Sequence, residues 1–113
     1  MVSIGTFRQM SLSFPETVEL PHFDRASFHV NKKIFCTLHE SKALAMVKLD
    51  SHDQSVFCAF DKTVIYPVPG GWGKQGATYI ELKKIRKAML KDALTVAWCR
   101  IAPKKLAEQY SAS

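Results

Sequence analysis

Two of the chain's five prolines and four of its five glycines fall between Pro67 and Gly76. Proline removes a backbone donor and glycine weakens any regular element, so this stretch reads as one long turn. Thr63 to Tyr66 and Thr78 to Leu82, on either side, read as the two strands it joins. Everything else in the chain must be arranged around that hairpin.

Upstream, Ile4, Phe7, Met10 and Phe14 recur every three to four residues, the spacing of one helix face, and Pro15 marks the stop. After Pro21 the pattern changes to strands: Ala26 to Val30, Lys33 to Leu38 and Ala43 to Leu49, with turns at Asn31-Lys32 and Glu40-Ser41-Lys42. Ser51 followed by Gln54 has the spacing of a capping box, with Asp50 and Asp53 suited to a helix start. The helix is expected to reach about Phe60 and to bury Val56, Phe57 and Phe60. The last long element carries Leu82, Ile85, Met89, Ala93, Val96 and Ala97 on one side, begins near Lys83 to Ile85, and ends at Pro103. The order is α-β-β-β-α-β-β-α. This predicts an α+β, two-layer sandwich, an antiparallel sheet packed with helices, forming one domain over residues 1–113.

At 113 residues the chain has enough core for one domain and too little length for a dinucleotide domain plus a substrate domain. No apolar run approaches the roughly 20 residues that span a bilayer. Met1 to Met10 shows no secretory pattern, so a cytoplasmic location and no membrane partner are expected. Cys36, Cys58 and Cys99 are odd in number and set among apolar neighbours, which favours reduced core thiols. The net charge of +6 is unevenly divided: residues 1–80 hold eight basic and seven acidic side chains, residues 81–113 eight and three. The C-terminal part therefore carries +5 and attracts phosphates, acidic proteins or anionic surfaces.

Gly71-Trp72-Gly73-Lys74-Gln75-Gly76 satisfies G-x-G-x-x-G, but the alternating residues after it form a strand where a dinucleotide site needs a helix. A kinase loop lacks its partner motifs, and a Walker A loop would need Gly where Val68 stands. A wide turn whose glycines take positive φ is the remaining reading. Trp72 then either folds back to cap the core edge, as the burial of large aromatics favours, or projects beside Lys74 and Gln75 as a stacking or interface residue. Lys48 shares a strand face with Leu44 and Met46; it snorkels at the sheet margin or aims its charge into a cleft.

On a helical projection Lys84, Lys87 and Lys91 fall in one sector opposite Ile85, Met89 and Ala93. Like charges at these spacings repel, and Lys83 and Lys84 oppose the helix dipole, so stability alone does not account for them. Arg100, Lys104 and Lys105 are explained as cations at a helix C-terminus. His22, His29, His39 and His52 form no metal-ligand spacing with the cysteines, and no nucleophile elbow or carboxylate pair is present. No metal, no cofactor and no catalytic residue is therefore expected.

Phe7-Arg8-Gln9-Met10, Leu12-Ser13-Phe14-Pro15-Glu16, Pro21-His22-Phe23, Lys33-Ile34-Phe35, Lys48-Leu49, Tyr66-Pro67-Val68-Pro69, Trp72-Gly73-Lys74-Gln75-Gly76 and Ala102-Pro103-Lys104-Lys105-Leu106 together resemble the MmcQ/YjbR family, from about Thr6 to Tyr110. The resemblance implies a CyaY-like or secretion-chaperone-like two-layer fold. It also implies a DNA-binding label that rests on a "double wing" shape. Ala77 stands where relatives commonly have Trp, which weakens the carry-over of an aromatic nucleic-acid platform to this turn. Ser3-Ile4-Gly5 lacks the acidic residues usual at the first helix start, and no catalytic residue transfers.

Three functions are in play. The first is a non-catalytic DNA-binding module of low sequence specificity for double-stranded DNA, with Lys84, Lys87 and Lys91 on phosphates and Lys74 and Gln75 at a groove. The second is a protein-binding adaptor using Phe28, Phe35, Trp72 and Tyr79. The third is an enzyme for a small anionic ligand, which would need a deep pocket lined by Lys48, Trp72 and a His.

Overall fold

Ser3 starts the first element, because its hydroxyl accepts from the Thr6 amide at 3.1 Å and satisfies one of the unpaired donors of α1, Ile4–Leu12. The structure, a computed structural model, describes residues 1–112; the reading of one domain over 1–113 includes Ser113, which lies outside the described residues. Phe7 on α1 is fully buried with its ring edge-on to Phe28, at 5.7 Å between centroids. Phe14, just past the helix, stacks on Trp98 at 5.7 Å.

A strand then appears that the sequence pattern does not announce: β1, Thr17–His22. It pairs with β2, Arg25–Val30, which pairs with β3, Lys33–His39. Asn31 and Lys32 make the tight turn with φ of +52° and +64°, the left-handed pair that matches strand twist. Between these strands Phe28 pairs with Cys36 and His29 with Ile34, so Phe35 is an extra residue. The bulge lets both Phe35 and Cys36 bury toward the helices.

A 3-10 turn at Glu40–Lys42 leads through Ala43 (φ +48°) to β4, Leu44–Lys48. The next helix, α2, spans Ser51–Cys58, and its cap is Asp50 rather than Ser51: the Asp50 carboxylate accepts from the Asp53 amide at 2.7 Å. Gln54 is thereby free of any capping role. α2 lies against β5, Ile65–Pro67, at the margin of the sheet. Phe57 and Cys58 are its residues packed on the core, and Val56 and Phe60 are 57% exposed where burial was expected.

The glycine-rich stretch contains a single helical turn, α3, Gly71–Lys74, and leads into β6, Ala77–Glu81. The sheet is antiparallel throughout, in the order β1-β2-β3-β4-β6-β5, so β1 and β5 are its edges and each contains a proline. Residues 82–86 form a turn that buries Leu82 and Ile85, and only then does α4, Lys87–Ile101, begin. The apolar stripe expected from Leu82 to Ala97 is thus two pieces. α5, Lys104–Ala112, follows Pro103, which separates the two helices. Lys104 and Lys105 therefore open a helix, where they oppose its dipole, instead of closing one.

Leu90, Ala93, Leu94, Ala97 and Trp98 of α4 are buried among Phe7, Phe28, Phe35, Val47 and Ile80. Helices on one side and the sheet on the other give the expected α+β architecture of two layers. No helix among the described residues is long and apolar enough to cross a membrane.

Candidate functional site

Strand alternation decides which side chains face away from the helices. Phe28, Val30, Ala45, Val47, Thr78 and Ile80 are buried on the core side. Their neighbours Arg25, Ser27, His29, Thr37, Met46, Lys48, Ala77 and Tyr79 occupy the outer face. Thr37 pairs with Met46 and Met46 with Tyr79, while Lys48 pairs with Ala77, so these residues form two adjacent rows across the central strands.

A recess of about 370 Å³ lies on that face. Thr37, Met46 and Tyr79 line it, together with Val68 and Trp72 from the segment after β5, the cations Arg25 and Lys48, and His22. A second recess of about 480 Å³ shares Ile34, Lys48, Trp72 and Ala77 with the first and continues to His29, Lys32, Lys33, Gln75 and Arg100. The two form one groove that runs along β2 from Arg25 to His29, about 14 Å at ~3.4 Å per residue. No Asp or Glu is among the residues lining either half.

Among the described residues Lys32, Lys33, Lys48 and Arg100 make no ion pair, whereas Arg25 lies 3.7 Å from Asp24, which His39 also approaches at 3.0 Å. Glu81 is on the outer face near β5, where the Tyr66 hydroxyl donates a short hydrogen bond to it. Partial burial, and then this carboxylate, push the Tyr66 hydroxyl up to about 12.

Trp72 does not cap the core: it is 66% exposed. The reason is the way α3 is fixed. Gly70 enters it with φ +85°, and Gly73 packs so closely on the Val68 carbonyl that an added Cβ would stand 1.8 Å from the oxygen. The Gln54 amide nitrogen lies 2.9 Å from the Gly73 carbonyl, 3.1 Å from Thr78 Oγ1 and 3.2 Å from the Ala77 carbonyl. Gly76, with φ +105°, closes the segment against Leu49. Positive φ is found at Gly70 and Gly76 as expected, while Gly71 and Gly73 are helical. The indole is thus held out over the sheet by backbone packing.

The three lysines do not share one helix. Lys84 lies in the turn before α4, with its ammonium 3.5 Å from the Thr63 carbonyl. Lys87 and Lys91 line a separate hollow with Gln9, Met10 and Ser13 of the α1 region. Lys74 is exposed on α3 outside the lining of the groove, but Gln75, Lys48 and Trp72 converge in it. Arg25, His29, Lys32, Lys33 and Arg100 complete the groove and were missed. The alternation of Arg25, Ser27 and His29 with Phe28 and Val30 was the available signal for two of them.

The cysteines are free thiols, and only Cys36 is fully buried. Burial pushes its thiol far up, and it donates to Ser11 Oγ at 3.7 Å; Cys58 is raised by partial burial. Neither has the partner that would make it a nucleophile. Among the described residues no three His, Cys, Asp or Glu side chains are grouped as a metal site.

The YjbR family model matches residues 12–100. The fold is similar to the crystal structure of Deinococcus radiodurans protein DR2400, which carries a DUF419 domain. The TM-score is 0.78 and the sequence identity 13%, over 98% of this chain and 89% of that one. No curated protein sequence matches the chain.

Proposed function

Since the chain belongs to the YjbR family, we propose that this member is a non-catalytic, cytoplasmic DNA-binding module that holds phosphates along the outer face of its sheet with low sequence specificity. The observation that carries this reading is the groove, with Arg25, Lys32, Lys33, Lys48 and Arg100 along it and no carboxylate in its lining. Five cations line the groove, so it can neutralise at most about five phosphates. Gln75 is the only side-chain amide in the lining, so a single amide is available for reading adenine edges while the cations are assigned to phosphates.

Anisotropy of a labelled mixed-sequence duplex, measured over a range of salt, tests the reading. Three to five neutralised phosphates give a log-log slope between about −3 and −4.5, at about −0.9 each. Charge reversal at Lys32 and Lys33 should weaken binding and flatten that slope, whereas reversal at Lys87 and Lys91 should leave both unchanged. Absence of binding at low salt, or loss confined to the Lys87 and Lys91 variant, overturns it.

A protein-binding adaptor is favoured by a different observation, the exposed Val18, Leu20 and Phe23 of β1 and its hairpin tip. Phe28 and Phe35 cannot serve it, being fully buried. The small-ligand reading asked for a deep pocket lined by Lys48, Trp72 and a His. Lys48, Trp72 and His22 do meet, but in a recess that continues into the second one.

A further inference from the structure

Resting on the DNA-binding reading, we infer that the groove takes an unpaired DNA strand in preference to a duplex, with one base stacked on the indole of Trp72. Three observations converge on this. A tryptophan is among the costliest side chains to leave in water, and this one is 66% exposed. Its position is not the by-product of a slack loop. Gly73 against Val68, Gly76 against Leu49 and the Gln54 amide fix the backbone on both sides of it, so little backbone entropy is left to lose on binding.

The place of the ring matters as much as its exposure. Trp72 lines both halves of the groove, beside Lys48 and Ala77, so it stands where they meet. Arg25 lies on one side of that junction and Lys32, Lys33 and Arg100 on the other. A strand whose phosphates follow these cations passes the indole midway, within reach of a base.

The chemistry of the base then selects the strand. In a duplex each base is covered above and below by its neighbours and offers only its edge to a groove, so an indole face gains nothing from it. An unpaired base offers its whole face, and every base has one, so stacking on Trp72 adds affinity without adding sequence preference. This agrees with a groove that has cations and one aromatic platform but no set of amides for reading edges.

The test compares a labelled twelve-nucleotide single strand, the same sequence as a duplex, and an abasic strand of equal length. Each is titrated with the wild-type chain and with Trp72→Ala and Trp72→Phe variants. The expected result is tighter binding of the intact single strand than of the other two. Trp72→Ala should weaken single-strand binding about 5- to 150-fold, the effect of one stacked base, with duplex binding unchanged and most of the affinity kept by Trp72→Phe. Wild-type binding to the abasic strand as tight as to the intact one overturns the inference, and needs no variant to fold. So does a Trp72→Ala loss that is equal on duplex and single strand, or no loss at all. In each of those cases salt-dependent binding to the duplex leaves the phosphate reading standing. If the wild-type chain binds none of the three, both readings fall.

Discussion

Gln54 is the one side chain of α2 that reaches across to the segment presenting Trp72, and replacing it with leucine measures how firmly that segment is held. Its amide carries two hydrogens but lies within 3.2 Å of three acceptors, the carbonyls of Gly73 and Ala77 and the hydroxyl of Thr78. Two bonds exist at a time, and at about 1 kcal/mol net for each the upper expectation is about 2 kcal/mol. The two carbonyls are not orphaned by the change. Gly73 still accepts from the Gly76 amide at 3.0 Å, and Ala77 from the Val68 amide at 2.9 Å. Leucine also fills much of the vacated volume, so the loss should fall between about 1 and 2 kcal/mol. A chain of 113 residues has an unfolding entropy of about 0.24 kcal/mol/K, which converts this to a fall in Tm of about 4–8 °C. Thermal and urea unfolding followed by far-ultraviolet circular dichroism supply the numbers. Ser55→Ala is the control, because the Ser55 hydroxyl donates to the His52 carbonyl within its own helix. It should move stability by no more than about 0.5 kcal/mol. A Gln54→Leu variant as stable as the wild type would show that the cross-links do not hold α3. A loss well above about 3 kcal/mol would show that the remaining bonds to Gly73 and Ala77 do not satisfy their carbonyls or that leucine does not fit the vacated space.

Two further substitutions test the local geometry. Gly76→Ala should cost about 3 kcal/mol or more, since its φ of +105° excludes a side chain and the new Cβ would stand 1.7 Å from the Leu49 carbonyl oxygen; Gly5→Ala, in open space on α1, should be neutral or stabilising by up to about 1 kcal/mol in the same unfolding assay. Tyr66 holds its proton more tightly folded than unfolded, so its contribution to stability is complete below about pH 10 and is lost as pH rises toward about 12. Subtracting the Tyr66→Phe midpoint from the wild-type midpoint at each pH should reveal that decline, and a difference flat up to about pH 12 would refute the raised titration of Tyr66.

The parts of the fold legible in the sequence were those in which a buried face repeats. α1 and β2 to β4 follow from the spacing of Phe7, Phe28, Val30 and Val47, and the Asn31-Lys32 turn marked its hairpin. β1 was not legible, because four of its six residues are exposed and Pro21 reads as a breaker. α3 was hidden by its own glycines, which lower helix propensity; the bonds from Gln54 and the packing on Val68 are tertiary and leave no local trace. Projecting Lys84, Lys87 and Lys91 onto one helix assumed an early start, whereas the buried Leu82 and Ile85 belong to a turn and the helix opens at Lys87.

The site was obscured for a related reason. Counting charge along the chain gave residues 81–113 the excess, yet four of the five groove cations, Arg25, Lys32, Lys33 and Lys48, come from the nearly neutral first part. There two of the neutralising carboxylates, Glu19 and Glu40, are engaged by Arg8 on the side of α1, while Asp24 lies by Arg25 at one end of the groove. Net charge along a sequence cannot register such a sorting of signs between the two faces of a sheet.

The two prolines at the sheet margins have a bearing on how the molecule behaves in company. A polypeptide seeking to join an edge needs an unbroken row of donors. Pro21 interrupts the row on β1, and β5 is three residues long and ends in Pro67. Both margins are thereby poorer templates for a neighbouring strand, so crowding many copies together, as in a cell or a concentrated stock, gives the sheet less opportunity to grow into a fibre.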